Sequence, residues 1–65
     1  PVRLEVFDLL GQRVRLLLDG QLTEGRHEMV WDGRDDQGRT AASGVYLYQL
    51  RSGSVRQTRA LLLIY

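Results

Sequence analysis

Apolar and polar residues alternate along several short stretches of this chain. Val2, Leu4 and Val6 alternate with Arg3 and Glu5, and a period of two is typical of a strand with one buried face. Related stretches occur at residues 14–18, 27–31, 45–51 and 55–65. The pattern therefore predicts about five β-strands and no helix.

Polar segments rich in glycine separate the predicted strands. Residues 8–12 and 52–54 are predicted to form hairpin turns, residues 19–25 a loop, and residues 32–44 a long connection with a tight turn at 36–38. Short strands with turns about every 8 to 12 residues indicate an antiparallel β-sandwich. We expect one domain over residues 1–65, with the long connection crossing between two sheets.

Aromatic residues are the candidates for the core. Trp31 is the only tryptophan in the chain and Tyr46 lies in the strand with the strongest β-propensity, so both are predicted to pack inside. Gly11 and Gly44 are interpreted as positions where the backbone needs a positive φ. The last strand ends in the apolar run 60–65, which is typical of a central strand or of an edge that expects a partner.

Size and charge exclude several classes of protein. A chain of 65 residues has a thin core, and it contains no cysteine with which to reinforce it. Nine arginines and eight acids are interleaved and leave a net charge of +1, which is not the basic stripe of a nucleic-acid-binding protein. No apolar stretch approaches the roughly 20 residues that a membrane-spanning helix needs.

The sequence offers no set of catalytic residues and no cofactor motif. His27 is the only histidine, and the serines lie mostly in predicted turns without an acid or base nearby in sequence. Asp32, Asp35 and Asp36 have two interpretations: oxygen ligands for calcium, or a solvated turn with aspartate side chains bonded to the backbone. Both interpretations stay open at this point.

Four blocks of sequence, in order, resemble a known family. They are VRLEVFDLLGQ (2–12), DG (19–20) with GRHE (25–28), WDGRDDQG (31–38) and ASGVYLY (42–48). Together they resemble the C-terminal sorting domains of the type IX secretion system, and equally the Ig-like domain of the flagellar hook-capping protein (FlgD type). The resemblance covers almost the entire chain.

The resemblance implies an immunoglobulin-like fold and an exported protein. A sorting domain would carry its cargo through the periplasm and the outer-membrane translocon to a surface-attachment machinery, and the protein would be secreted or held at the cell surface. Recognition in that family is associated with a final strand that has basic and then aliphatic residues. The matching residues here are Arg59, Leu61, Leu62, Leu63 and Ile64, whereas Ala60 and Tyr65 depart from the family's basic positions.

Two other functions remain as alternatives. The chain could be a structural Ig-like module of a surface or hook-cap assembly, or an accessory carbohydrate-binding module that uses Phe7, Trp31, Tyr46 and Tyr48 for stacking. The family usually has one or two strands before the position of Pro1, so either the chain is trimmed or an upstream domain supplies them. In both cases we expect an open sheet edge that invites strand addition or self-association.

Overall fold

The described part of the protein is a single antiparallel sheet. A computed structural model describes residues 1–21 and 30–64. Its strands are β1 (Val2–Phe7), β2 (Arg13–Gly20), β3 (Gly44–Ser52) and β4 (Val55–Leu63). They form one sheet in the order β2-β1-β3-β4, and every pair of neighbours is antiparallel. The prediction of an all-β, Ig-like fold is confirmed.

The described residues differ from the predicted sandwich in three respects. They form four strands in one sheet, where five strands in two sheets were expected. Val30 and Trp31, at the end of the predicted third strand, lie in the connection before β3; the rest of that strand, and Tyr65, fall outside the described residues. The loop predicted from Asp19 also begins later, because Asp19 pairs with Arg3 in the sheet, and an ion pair of 3.7 Å joins their side chains.

Both predicted hairpin turns are present and have a local cause. In the first, Asp8 Oδ1 accepts hydrogen bonds of 2.9 Å from the backbone N–H groups of Leu10 and Gln12. In the second, Gly53 has a φ of +58°, while no residue other than glycine has a positive φ in the described chain. Glycine at the first central position followed by a residue with negative φ is the pattern of a two-residue type II′ turn. Such a turn fixes the register of β3 on β4, with Ser52 opposite Val55.

The register defines two faces of the sheet. Residues directly opposite each other in an antiparallel pair share a face, so Val6, Tyr46 and Tyr48 lie on what we call the front face, and Arg3, Glu5 and Leu47 lie on the back face. Val6 has no exposed surface and Tyr46 is 8% exposed. These two are the buried apolar residues of the described chain, so the core is thin and centred on the front face.

The connection from β2 to β3 packs on that front face. β2 and β3 both flank β1 and run parallel to each other, which requires a crossover rather than a tight turn. The ring of Trp31 meets Tyr46 edge-on at a centroid distance of 5.1 Å. The indole Nε1–H donates to the carbonyl oxygen of Arg34 at 2.9 Å, and the Tyr46 hydroxyl donates to Ala42 O at 2.6 Å. The long connection thus covers the core within one sheet.

Candidate functional site

The residues predicted to recognise a partner lie on β4 or just after it, at one edge of the sheet. Arg59 is exposed and sits opposite Tyr48, whereas Leu61 and Leu63 are half-buried opposite Tyr46 and Gly44. Leu62 is 63% exposed, and Ile64, directly after the strand, is 73% exposed. The strand therefore buries one set of its aliphatic side chains and presents the others to solvent.

The two edges of the sheet differ in how far their backbone is covered. At β2, the backbone N–H of Asp36 donates to Val14 O at 2.9 Å, and Asp36 Oδ1 accepts from the N–H of Leu16 at 2.8 Å. At β4, no described residue outside β3 makes a backbone hydrogen bond with the strand. Unpaired strand edges accept additional strands, so β4 is the available edge in the described part of the chain.

Arginines of β2 hold the aspartate segment, residues 32–38, against the covered edge. Arg13 Nε lies 3.3 Å from Asp36 Oδ2. Arg15 NH1 donates to the carbonyl oxygens of Arg34 and Asp35 at 3.4 and 3.3 Å and lies 3.7 Å from Asp32 Oδ1. The segment is therefore docked by charge as well as by its backbone.

Each aspartate of this segment has a structural partner. Asp32 Oδ1 accepts from the N–H of Arg34 at 3.0 Å, and Asp35 Oδ1 accepts from the N–H groups of Gln37 and Arg39 at 2.9 Å each. Nowhere in residues 1–21 and 30–64 do three acidic or histidine side chains converge as metal ligands. The contacts agree with the backbone-bonded turn, the second interpretation drawn from the sequence.

The fold lowers the pKa of the Asp35 carboxyl group. The backbone N–H of Arg39 lowers the pKa of Asp35 most, and partial burial opposes this change. The N–H of Gln37 and the guanidinium of Arg39, whose Nε lies 3.2 Å from Oδ2, lower the pKa further. Hydrogen bonds to the charged form favour that form, so the turn is built around an ionised Asp35.

The glycines predicted for turns lie next to strands, and the two rings predicted for the core contact each other. Gly11 lies in the turn between β1 and β2 with a φ of +84°, and Gly44 begins β3 with a φ of +153°. Tyr46 is buried, and Trp31 is half-buried against it. The exposed large apolar side chains of the described chain are all aliphatic, so the rings named for sugar stacking do not form an exposed platform there.

Two features of the site were not predicted from the sequence. Glu5 was assigned to the polar face of β1, yet it is 6% exposed. A register shift of β2 lies beside it, between Leu4 and Glu5, and Arg13 NH1 lies 3.6 Å from its carboxylate. The second is the docking of Asp36 on the β2 edge. Neither follows from alternation, since both depend on which distant arginine the fold brings near.

The serines considered for catalysis lie in or beside turns and connections. Ser43 precedes β3, Ser52 and Ser54 lie at the β3–β4 turn, and His27 lies outside the described residues.

Within residues 1–21 and 30–64, no helix has the length and apolar character needed to cross a membrane.

A small antiparallel sheet with a crossover packed on one face and with polar groups engaged in its own loops is consistent with a small, all-β, Ig-like module. The sequence model of the FlgD Ig-like domain family matches residues 1–54, and the chain belongs to that family. The match includes β1, β2 and β3 and ends in the turn before β4. No curated protein and no solved structure matches the chain.

Proposed function

We propose that this chain is a structural Ig-like module that joins neighbouring proteins or domains within an exported bacterial surface or flagellar assembly. The observation that carries the proposal is membership of the FlgD Ig-like family, in a sheet whose β4 edge is not covered by any residue that the structure describes. The polar groups of the crossover are used to hold the fold, and the surface left for another molecule is a strand edge. Edge strands bind through main-chain hydrogen bonds, which suits a docking role.

The test compares two exposed leucines in the protein that carries this chain. Leu62→Glu places a charge on the exposed part of β4, and Leu10→Glu places the same charge in the β1–β2 turn, where Leu10 is 86% exposed. We expect the Leu62 variant to be exported but not incorporated into the assembly, and the Leu10 variant to be incorporated normally. Surface labelling and electron microscopy of intact cells measure both. Normal incorporation of the Leu62 variant would contradict the proposal.

A second candidate function is sorting through type IX secretion. One observation favours it: Arg59 and the aliphatic residues 61–64, which resemble the basic and aliphatic ending of sorting domains, lie on or next to the open edge. In this function the partners are the translocon and the surface-attachment machinery, and the protein reaches the cell surface through the periplasm.

Export of a passenger separates the two functions. The chain is fused to a folded passenger in a host that has type IX secretion and in the same host without its translocon. Sorting predicts translocon-dependent export, lost in the double variant Arg59→Gln, Leu62→Glu and retained in Leu10→Glu. A purely structural module predicts that none of the three fusions is exported.

A further inference from the structure

The last three arginines of the chain lie in a segment that has no acidic residue. Residues 40–65 contain Arg51, Arg56 and Arg59 and no acidic residue. In the described chain the side chains of the remaining arginines contact acids or carbonyl groups, whereas the side chains of these three make no ion pair or hydrogen bond with a described residue. The β3–β4 side of the sheet therefore has a net charge of +3 that its own residues do not neutralise.

Two of these arginines extend a single row across the back face. The register places Asp19 opposite Arg3, Arg3 opposite Arg51, and Arg51 opposite Arg56. We call this set the arginine row. Like charges directly opposite each other in a sheet are destabilising. Asp19 forms an ion pair with Arg3 at the β2 end of the row, and no acid among the described residues lies at the β4 end.

The open edge lies at that same end of the row. The two-residue turn makes Ser52 and Val55 a hydrogen-bonded pair of β3 and β4. Along the two strands such pairs alternate with pairs whose backbone N–H and C=O groups point away from the partner strand. The N–H and C=O groups of Arg56, Thr58, Ala60 and Leu62 therefore face outward from β4. A strand added here would place one residue beside Arg56 on the back face and, three positions away, another beside Arg59 on the front face.

We propose that the β4 edge binds an extended acidic segment of another polypeptide, which adds a fifth strand to the sheet and places carboxylates beside Arg56 and Arg59. An aliphatic side chain of the segment would cover Leu62, which is exposed beside its cross-strand neighbour Val45. The inference rests on the proposed docking function and specifies its partner. A second copy of this chain is disfavoured, because pairing β4 with another β4 brings positive strands together.

A synthetic peptide tests the charge requirement. For an antiparallel strand the matching sequence is Val-Thr-Val-Glu-Thr-Thr-Glu, whose first valine meets Leu62 and whose glutamates meet Arg59 and Arg56. Its matched control has glutamine at both glutamate positions. Exposed ion pairs contribute about two- to fivefold in affinity each. We expect tighter binding of the glutamate peptide, a difference that shrinks at high salt, and equal affinities would overturn the proposal.

Substitutions in the protein test which arginines contact the glutamates of the peptide. Arg56→Gln or Arg59→Gln should each reduce the preference for the glutamate peptide by about two- to fivefold. Arg39→Gln removes the same charge at the residue directly after the aspartate segment, away from β4, and it should leave the preference unchanged. A preference that responds equally to all three substitutions would reflect net charge alone and would count against the site.

Backbone modification tests strand addition directly. N-methylation of the peptide at amides that face β4 should abolish binding, whereas N-methylation of the alternate amides should preserve it. On the protein, Ala60→Pro removes an outward N–H and is the kind of substitution that edge strands tolerate; it should weaken binding while the sheet's amide spectrum is retained. Insensitivity to both changes would reject the added strand.

Two further outcomes separate this inference from the docking function. If the protein forms a dimer that the peptide disrupts, the occupant of the edge is a second copy and the acidic partner is wrong. If neither peptide binds while Leu62→Glu still prevents incorporation into the assembly, the docking function stands and the inference fails. Sedimentation of the free protein distinguishes the first case.

Discussion

At the scale of single residues, Asp35 organises the turn that docks on β2. Its carboxylate accepts two backbone N–H groups and pairs with Arg39, which lowers its pKa below the ordinary 3.8. A carboxyl group with a depressed folded pKa stabilises the fold fully above its unfolded pKa, and this stabilisation is lost as pH falls through the folded value.

The first prediction concerns this loss of stability in acid. The urea midpoint of the wild-type protein should fall between about pH 5 and pH 2 by more than that of Asp35→Asn, because the variant has no carboxylate to protonate at this position. Circular dichroism at fixed pH measures both curves. Parallel curves for the two proteins would show that Asp35 is not linked to folding.

The second prediction concerns Asp36, whose side chain bonds the edge of β2. Asp36→Ala leaves the N–H of Leu16 without its protein acceptor and removes the ion pair to Arg13, and we expect a loss of about 1 kcal/mol in the free energy of unfolding. Asp36→Asn retains an acceptor oxygen and should lose less. Amide hydrogen exchange at Leu16 should rise in the alanine variant; unchanged exchange there would mean that the segment docks without this contact.

At the scale of the strands, the arginine row should lower the stability of the sheet and favour the binding of an acidic segment. Arg51 stands between Arg3 and Arg56 in the register. Replacing it with glutamate converts two like-charged neighbours into opposite-charged ones, so Arg51→Glu should stabilise the sheet by about 0.5 kcal/mol. Arg51→Gln, which only removes repulsion, should gain less.

Denaturation at low and high salt checks this third prediction. The gain from Arg51→Glu should shrink as salt is added, because exposed charges are screened. The same variant should bind the acidic peptide more weakly, since a new carboxylate stands next to Arg56. Destabilisation by Arg51→Glu would show that Arg51 is not repelled by Arg3 and Arg56 across the strands.

At the scale of the whole molecule, the core is thin. Val6 and Tyr46 are the buried apolar residues of the described chain, and β4 covers one side of the strand that holds Tyr46. The family match ends at Ser54, before β4 begins. The sheet of this chain therefore extends beyond the residues that the family model matches.

The fourth prediction concerns a fragment that ends where the family match ends. A chain of residues 1–54 lacks β4 and should lose the dispersed amide spectrum of a folded sheet, because a small domain has little stability to spare. The complete chain should retain it. A folded 1–54 fragment would show that β4 is an appendage, and the sorting function would then gain support over a purely structural one.

The sequence by itself determined the features that depend on neighbours along the chain. Alternation located β1 and β2, β-propensity located β3 and an apolar run located β4, while Gly53 and Asp8 determined turns, because these are local properties of the chain. Contacts between distant residues were decided only by the tertiary structure. Alternation could not show that the crossover would return to the same sheet, that Arg13 would reach Glu5, or that Asp36 would cover one edge and leave β4 open, since each depends on which strands become neighbours.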